Sequence, residues 1–216
     1  MSIMPPITPS IVIAGCGPGH PDYLTSAVKK AAAQAEVLVG APHLLELFAA
    51  VDAIRLPVGA DIRALLERMA TYRQQRLVVL VSGDCGLFSL ARRVQQRFGR
   101  EQCQLLPGIS SVQVACARLG IDWNDLRILS AHGRTPTTDV EELRAWHKIA
   151  ILAGTRAAAN WGAEMLERLG ANYHAVVCEN LTLTNEKIHA YDALTLRQSA
   201  LASRSIILLL HKEVTA

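Results

Sequence analysis

The chain carries at residues 11–22 the segment Ile11-Val-Ile-Ala-Gly-Cys-Gly-Pro-Gly-His-Pro-Asp22, in which a β-branched and aliphatic run leads into a glycine-rich turn. The residues that follow, 24–35, have the pattern of an amphipathic helix. An apolar run, a glycine turn and a helix in this order are typical of a buried parallel strand connected to a covering helix. The segment therefore predicts that an α/β fold begins at Ile11.

The same order of run, turn and helix recurs along the chain. Several of the apolar runs lack polar alternation, as expected for strands that are covered on both faces. The helices are predicted over residues 24–35, 61–74, 110–119 and 157–169, and the strands over residues 11–14, 37–39, 77–81, 104–106, 126–129, 149–152, 175–178 and 206–210. This alternation predicts an α/β fold with a largely parallel sheet.

A turn-rich stretch, Gly120-Ile-Asp-Trp-Asn-Asp125, follows the helix predicted over residues 110–119. The charge balance also changes there, from +4 over residues 1–120 to −1 over residues 121–216. We therefore expect two α/β lobes, residues 11–119 and 120–216, with a ligand cleft between them. Residues 1–10 hold three prolines and no basic residue, so we expect a flexible lead-in rather than a signal peptide.

Composition excludes several classes of protein. With 50% apolar residues among 216, the chain is not intrinsically disordered, and no apolar run reaches the length of a membrane span. The 22 basic and 19 acidic residues are too balanced to indicate a nucleic-acid binder. Five cysteines without a C-x-x-C pair argue against a disulfide framework and a zinc site. With no export signal, we expect a cytoplasmic protein.

The first glycine loop, which contains Gly17, Pro18 and Gly19, matches neither of two common phosphate-binding loops. A Walker A loop requires G-K-[ST] at its end, and the dinucleotide fingerprint requires a glycine where His20 stands. The loop alone is consistent with a ligand site or with a tight turn that has no binding function. Its interpretation depends on what the other strand ends carry.

Two further strand ends carry glycines, Val81-Ser-Gly-Asp-Cys-Gly86 and Leu106-Pro-Gly-Ile-Ser-Ser111. Asp84 lies where ligands bind in open α/β sheets, although aspartate also suits the N-cap of the helix that we expect near Leu87. Ser110 or Ser111 suits the N-cap of the next helix in the same way. Three such strand ends in one lobe predict a ligand shelf along the carboxyl edge of the sheet.

A histidine and an arginine follow the first predicted strand of the second lobe, in Ser130-Ala-His-Gly-Arg134. This string closes a turn, or Arg134 pairs with a ligand carboxylate while His132 donates a hydrogen bond or moves a proton. The chain contains no G-x-S-x-G elbow, no H-E-x-x-H and no Cys/His clusters at metal-binding spacing. We therefore assign no metal site from the sequence.

These motifs, in this order, resemble the tetrapyrrole methylases. The resemblance rests on G-x-G-P-G-x-P at the first strand, S-G-D near residue 83 and P-G-I-S-S at residues 107–111. Three further strings are similar to the subfamily that methylates carbon 5 of the corrin ring in cobalamin biosynthesis: Ser89-Leu-Ala-Arg92, Ala131-His-Gly-Arg134, and Cys178-Glu-Asn-Leu-Thr182 with Glu186-Lys187-Ile188 beyond it. Cys85 departs from the pattern, because the family usually has proline there.

The resemblance implies a homodimeric methyltransferase with a mostly parallel sheet in the first lobe and a mixed sheet in the second. It implies S-adenosylmethionine as methyl donor, with S-adenosylhomocysteine as product, and a polycarboxylate tetrapyrrole as acceptor bound by His132 and Arg134. Asp84 would orient cofactor or substrate as the catalytic residue. The cofactor-binding residues implied are Gly17, Pro18, Gly19, Gly83, Asp84, Phe88, Ser110, Ser111, Ala153, Gly154, Glu179 and Asn180.

In the fused form of this activity, a second domain decarboxylates the substrate and methylates carbon 15. Only six residues follow the last predicted strand, so we expect this chain to act at carbon 5 alone, with a separate chain for carbon 15. The same fold also serves uroporphyrinogen, a modified histidine of a protein and a ribosomal RNA ribose. A non-catalytic nucleotide-binding protein is the alternative from another class. The sequence leaves open whether the substrate already contains cobalt.

Overall fold

The computed structural model describes residues 10–133 and 135–214. The chain divides into two compact units, Met1–Ser110 and Ser111–Ala216. This division lies earlier than the boundary expected between residues 119 and 120, because the helix that begins at Ser111 contacts the last strand of the second unit. Except for Ser10, the lead-in expected at residues 1–10 lies outside the described residues.

The first unit is a five-stranded sheet with helices between its strands. All four strand pairings are parallel, in the order β3-β2-β4-β1-β5. The strands are β1 Ile11–Gly15, β2 Val37–Gly40, β3 Ile54–Pro57, β4 Leu77–Val81 and β5 Cys103–Leu106, and the helices are α1 Ser26–Ala33, α2 Pro42–Glu46, α3 Ile62–Ala70 and α4 Ala91–Phe98.

Local sequence explains these elements. Every residue of β4 is buried, as expected for a central strand covered on both faces. The side chain of Thr25 accepts a hydrogen bond from Val28 N at the start of α1, and Asp61 accepts one from Ala64 N at the start of α3. Since neighbouring parallel strands end at the same edge, the loops after β4, β1 and β5 lie side by side.

The second unit contains a mixed five-stranded sheet in the order β6-β7-β10-β8-β9. Only β6 and β7 pair in parallel, and the other three pairings are antiparallel. The strands are β6 Leu126–Ser130, β7 Lys148–Leu152, β8 Tyr173–Glu179, β9 Lys187–Tyr191 and β10 Ser205–His211, and the helices are α5 Ser111–Leu119, α6 Val140–Leu143, α7 Arg156–Leu169 and α8 Ala193–Gln198.

The core of the second unit forms where α7 packs on the sheet. Ile151, Ala163 and Ile207 are fully buried in one cluster. An ion pair fastens α5 to this unit, because Arg118 Nε lies 2.7 Å from Glu186 Oε1. Among the described residues, no helix combines the length and apolar character needed to cross a lipid bilayer.

The predicted α/β class is confirmed, with a parallel first sheet and a mixed second sheet. The sequence analysis missed β3 and β9, which lie at sheet edges and expose much of their surface. Their runs are therefore less apolar than those of the central strands. The helix expected near Leu87 begins instead at Ala91, because residues 87–90 form turns.

Candidate functional site

Three glycine-bearing loops meet at the carboxyl edge of the first sheet. They follow β4, β1 and β5, which are adjacent strands. Gly17 and Gly83 join the first two loops through paired backbone hydrogen bonds, with Gly17 N to Gly83 O at 3.1 Å and Gly83 N to Gly17 O at 2.8 Å. Both glycines have positive φ angles, +73° and +66°, which residues other than glycine rarely adopt. The loops after β1 and β4, where the sequence predicts a ligand shelf, therefore form one connected backbone surface.

Two glycines that the sequence analysis did not assign to the site allow this close approach. A Cβ atom on Gly15 would lie 2.6 Å from Gly108 N and 2.8 Å from Gly83 O. A Cβ atom on Gly108 would overlap the carbonyl oxygens of Gly15 and Gly83. Both glycines stand in the strings already quoted, so glycine at the end of a predicted strand was the signal that could have identified them.

The Asp84 carboxylate connects the loop after β4 to the loop after β5. Its Oδ1 atom accepts a hydrogen bond from Gly86 N at 2.8 Å, and its Oδ2 atom accepts one from Gly108 N at 3.0 Å. Asp84 does not cap α4, whose N-cap is Leu90. Because both carboxylate oxygens bind backbone amides, the observed contacts give Asp84 a positioning role in the loops.

Phe88, on the loop after β4, combines two unfavourable features. Its φ angle is +46°, a backbone conformation that costs free energy for residues other than glycine, and its side chain is 61% exposed. The neighbouring Cys85 is buried, and burial, together with the nearby Asp84 carboxylate, raises the pKa of its thiol. The thiol therefore stays protonated near neutral pH, which argues against a nucleophilic role.

The remaining predicted residues of the first unit lie close to these loops in the chain. Pro18 and Gly19 are half-buried after β1, and Ser110 is buried just before α5. Ser111 is the first residue of α5 and begins the second unit. The structure thus places Gly17, Pro18, Gly19, Gly83, Asp84, Phe88 and Ser110 on loops that follow three adjacent strands.

The second unit gathers its predicted residues at one edge of its own sheet. Strands β6, β7 and β8 end at this edge, where the antiparallel β10 begins. His132 Nδ1 lies 3.2 Å from Ala153 O. Because a carbonyl oxygen only accepts, Nδ1 donates this hydrogen bond, which leaves Nε2 as the acceptor of the neutral ring. Arg134 lies outside the described residues.

The segment before β10 holds the other predicted residues of this edge. Ala153 N donates to Ser205 O at 2.9 Å, and Asn180 N donates to Arg204 O at 2.9 Å. The Glu179 carboxylate accepts a hydrogen bond from the backbone N–H of residue 202 at 2.6 Å. Gly154, with φ of +116°, packs so closely that a Cβ atom would overlap the carbonyl oxygen of residue 203. These four residues therefore shape one backbone surface.

Comparison with known proteins agrees with this arrangement. The family model described as Tetrapyrrole (Corrin/Porphyrin) Methylases matches residues 10–195. The cobalt-precorrin-7 C(5)-methyltransferase of Salmonella typhimurium is 37% identical over 180 residues, which cover 83% of this chain and 89% of that protein.

Solved structures show the same fold. The precorrin-6Y methylase of Archaeoglobus fulgidus matches with a TM-score of 0.71 and 26% identity, over 93% of this chain and 96% of that one. The uroporphyrin-III C-methyl transferase of Thermus thermophilus, complexed with S-adenyl homocysteine, matches with a TM-score of 0.76 and 18% identity, over 93% and 96%. At that identity the second likeness concerns the fold alone.

The family model spans most of the chain, and a relative of high coverage agrees with it. The resemblance inferred from the glycine loops is therefore confirmed at the level of the family. This chain belongs to the tetrapyrrole (corrin/porphyrin) methylases.

Proposed function

We propose that this chain is an S-adenosylmethionine-dependent C-methyltransferase that acts at carbon 5 of a cobalt-precorrin-7-type corrinoid in cobalamin biosynthesis. The observation that carries this proposal is the 37% identity to the Salmonella typhimurium enzyme across 83% of the chain. The activity of that relative, a cobalt-precorrin-7 methyltransferase, also favours a substrate that already contains cobalt.

The loops of the first unit support a role in binding the methyl donor. Glycine places no side chain on these turns, which allows a ligand to approach the backbone closely. Phe88 offers an exposed aromatic ring on the same loop as Asp84. We assign this ring to the cover of the adenosyl or methionyl group, since strained residues concentrate at functional sites and apolar and aromatic side chains line ligand pockets.

S-Adenosylmethionine, when bound, supplies a methyl group on a sulfonium sulfur. A ring carbon of the acceptor forms the new carbon–carbon bond as the methyl–sulfur bond breaks, and the sulfur keeps the electron pair in the leaving S-adenosylhomocysteine. This displacement requires donor and acceptor in line. The task of this chain's residues is therefore to hold both in that orientation and to exclude water, which lowers the barrier by roughly several kcal/mol.

The edge of the second unit supports a role in binding the polycarboxylate acceptor. The hydrogen bond from His132 Nδ1 to Ala153 O fixes the plane of an exposed ring. We assign acceptor carboxylates to His132 and Arg134, since a guanidinium pairs with a carboxylate in bidentate geometry. His132 binds a carboxylate in the form in which Nε2 also carries a proton, because both ring nitrogens then donate. Ala153, Gly154, Glu179 and Asn180 remain proposed cofactor contacts.

The decisive experiment is incubation of the purified chain with cobalt-precorrin-7 and a carbon-13-labelled methyl donor. We expect one added methyl group by mass analysis, and carbon-13 NMR should place it at carbon 5. A methyl group at carbon 15, or transfer only to uroporphyrinogen, protein or RNA, would overturn the assigned acceptor. The cobalt-free substrate, run in parallel, tests the preference for cobalt.

Calorimetry separates an enzyme from a non-catalytic nucleotide-binding protein. We expect binding of S-adenosylmethionine and S-adenosylhomocysteine and none of NAD or ATP. Arg134→Ala should weaken binding of the tetrapyrrole far more than binding of S-adenosylhomocysteine. Equal weakening of both would contradict the assignment of Arg134 to the substrate.

We make three further proposals, on the oligomeric state, the division of the reactions between polypeptides and the location in the cell. We propose a homodimer, which light scattering coupled to size exclusion tests directly. We propose that carbon-15 methylation and decarboxylation belong to another polypeptide, which predicts no carbon dioxide release by this chain. We propose a cytoplasmic location, and the five free, buried thiols are consistent with a reducing compartment.

A further inference from the structure

Two histidines and a glutamate meet at one end of the second sheet. His147 directly precedes β7, His211 is the last residue of β10, and Glu213 lies in the 3-10 turn Lys212–Val214. The antiparallel pairing of β7 and β10 brings the histidines together, and His211 N donates to His147 O at 2.8 Å. This end of the sheet lies opposite the edge that carries His132 and is not part of the methyltransferase site.

The side-chain atoms of this cluster lie at the distances of metal ligands. His147 Nδ1 and His211 Nδ1 are 3.6 Å and 3.5 Å from the same Glu213 Oε2 atom. One ligand atom from each of the three residues lies within 4.8 Å of the others. Ligands bound to a tetrahedral zinc ion at about 2.0–2.1 Å are separated by roughly 3.3–3.4 Å. The two histidine–glutamate distances therefore lie within a few tenths of an ångström of the separation between zinc ligands.

The His211 ring turns its Nδ1 atom towards Glu213. Glu213 N donates to His211 Nδ1 at 3.4 Å, so this nitrogen presents its lone pair. A bound ion would replace this long hydrogen bond and lie between His211 Nδ1 and the Glu213 Oε2 atom, which are 3.5 Å apart.

The two imidazole rings pack against each other, and one side of the cluster stays accessible. In-plane lone pairs of stacked rings do not converge, so the exposed His147 ring has to turn out of the stack for both rings to bind one ion. The two rings stack at 4.6 Å, and Tyr173 packs edge-on against His211 at 5.1 Å. The Tyr173 hydroxyl donates to Trp146 O, next to His147, at 3.2 Å. The His147 and Glu213 side chains are 56% and 71% exposed, and both line a surface hollow of about 660 Å³ that admits an ion and its water.

We propose that His147, His211 and Glu213 bind a single divalent transition-metal ion of the zinc class. Two imidazoles and one carboxylate match the borderline character of Zn²⁺, Co²⁺ and Ni²⁺, and a fourth position is open to water. The ion would join the start of β7, the end of β10 and the following turn. Its role is to clamp this end of the sheet, outside the methyl-transfer chemistry.

Metal binding by the untagged full chain tests this proposal. After treatment with a chelator, we expect calorimetry to show one equivalent of Zn²⁺ bound. Co²⁺ should give visible bands of tetrahedral N/O coordination without the thiolate charge-transfer bands that cysteine ligands produce. At a Zn²⁺ concentration of 100 times Kd, the Tm should rise by about 5–10 °C.

Substitutions at exposed positions identify the ligands without threatening the fold. His147→Ala and Glu213→Gln should each weaken Zn²⁺ binding by at least about 100-fold, since even supporting residues around a metal often contribute 10- to 100-fold. His189→Ala removes an exposed histidine on β9 of the same sheet and should leave binding unchanged.

Three outcomes would overturn the proposal. They are absence of Zn²⁺ binding up to millimolar concentration, equal binding by the wild-type chain and the His147→Ala/Glu213→Gln double variant, and a thiolate spectrum with Co²⁺. The first would leave the cluster as a set of side chains in contact without a ligand. The third would assign the ion to the cysteines.

Discussion

Replacement of Asp84 by alanine should loosen the site loops by an amount that the structure allows us to work out. The carboxylate accepts one hydrogen bond from the half-buried Gly108 amide and one from the exposed Gly86 amide. A hydrogen bond to a charged group contributes about 1.5–3 kcal/mol, and exposure reduces the Gly86 bond to about 0.5–1 kcal/mol. We therefore expect Asp84→Ala to lower the free energy of unfolding by about 2–4 kcal/mol.

Asp84→Asn separates hydrogen bonding from shape. The amide keeps one oxygen acceptor but presents an NH₂ donor to the second backbone N–H. One bond is lost and two donors face each other, so this near-isosteric variant should lose at least about half as much stability as Asp84→Ala. If Asp84→Ala lowered stability only by leaving a cavity, Asp84→Asn would instead have the stability of the wild-type chain.

Urea unfolding at neutral pH measures the global effect, and hydrogen–deuterium exchange measures the local one. Exchange should accelerate in the peptides that cover residues 82–90 and 104–110 before any change elsewhere. Asp52→Ala, at an exposed aspartate of the same unit, is the matched control and should stay within about 0.5 kcal/mol of wild type. S-Adenosylhomocysteine affinity should fall in the same order as loop protection.

The reasoning fails if Asp84→Ala unfolds with wild-type free energy and its Gly108 peptide exchanges at the wild-type rate. Loss of activity in a variant with wild-type stability and protection would instead give Asp84 a direct contact with substrate or cofactor.

Three further predictions follow from single features of the structure. Gly108→Ala should cost about 1–3 kcal/mol or more and abolish S-adenosylhomocysteine binding, because its Cβ atom overlaps backbone, whereas Gly59→Ala meets nothing within 4 Å and should be neutral by urea unfolding. Burial raises the pKa of the Cys16 thiol to about 12, so a thiol reagent at pH 8 should leave it unmodified until urea unfolds the chain. The hydrogen bond from Arg118 lowers the pKa of the Glu186 carboxyl. Its contribution to stability is therefore complete above the unfolded pKa and disappears as the pH falls through the lower folded pKa. Glu186→Gln should destabilise the chain at pH 7 in urea unfolding, and its difference from wild type should shrink as the pH is lowered below the unfolded pKa.

Much of the fold was predictable because the central strands carry their own signal. The β4 segment is apolar at every position, and a strand buried on both faces has to be. The edge strands β3 and β9 escaped prediction because exposure relaxes that requirement. The end of the first unit was placed too late, since no local pattern records that α5 contacts β10.

The candidate site, like the fold, was predictable only in part. The strings around Gly17 and Gly83 marked the loops, because a backbone that turns sharply at a strand end requires glycine. Their paired hydrogen bonds are contacts between residues far apart in the chain. No spacing rule predicts that residue 108 must lack a Cβ atom because the backbone of Gly15 lies against it.

The amino-acid sequence by itself determined the α/β class, the glycine loops and the family, because these depend on local periodicity and short motifs. Only the tertiary structure decided what those residues contact. It showed that the Asp84 carboxylate accepts hydrogen bonds from the backbone of two loops. It also placed His147 beside His211, because strand pairing brings together residues whose separation in sequence carries no trace of that contact.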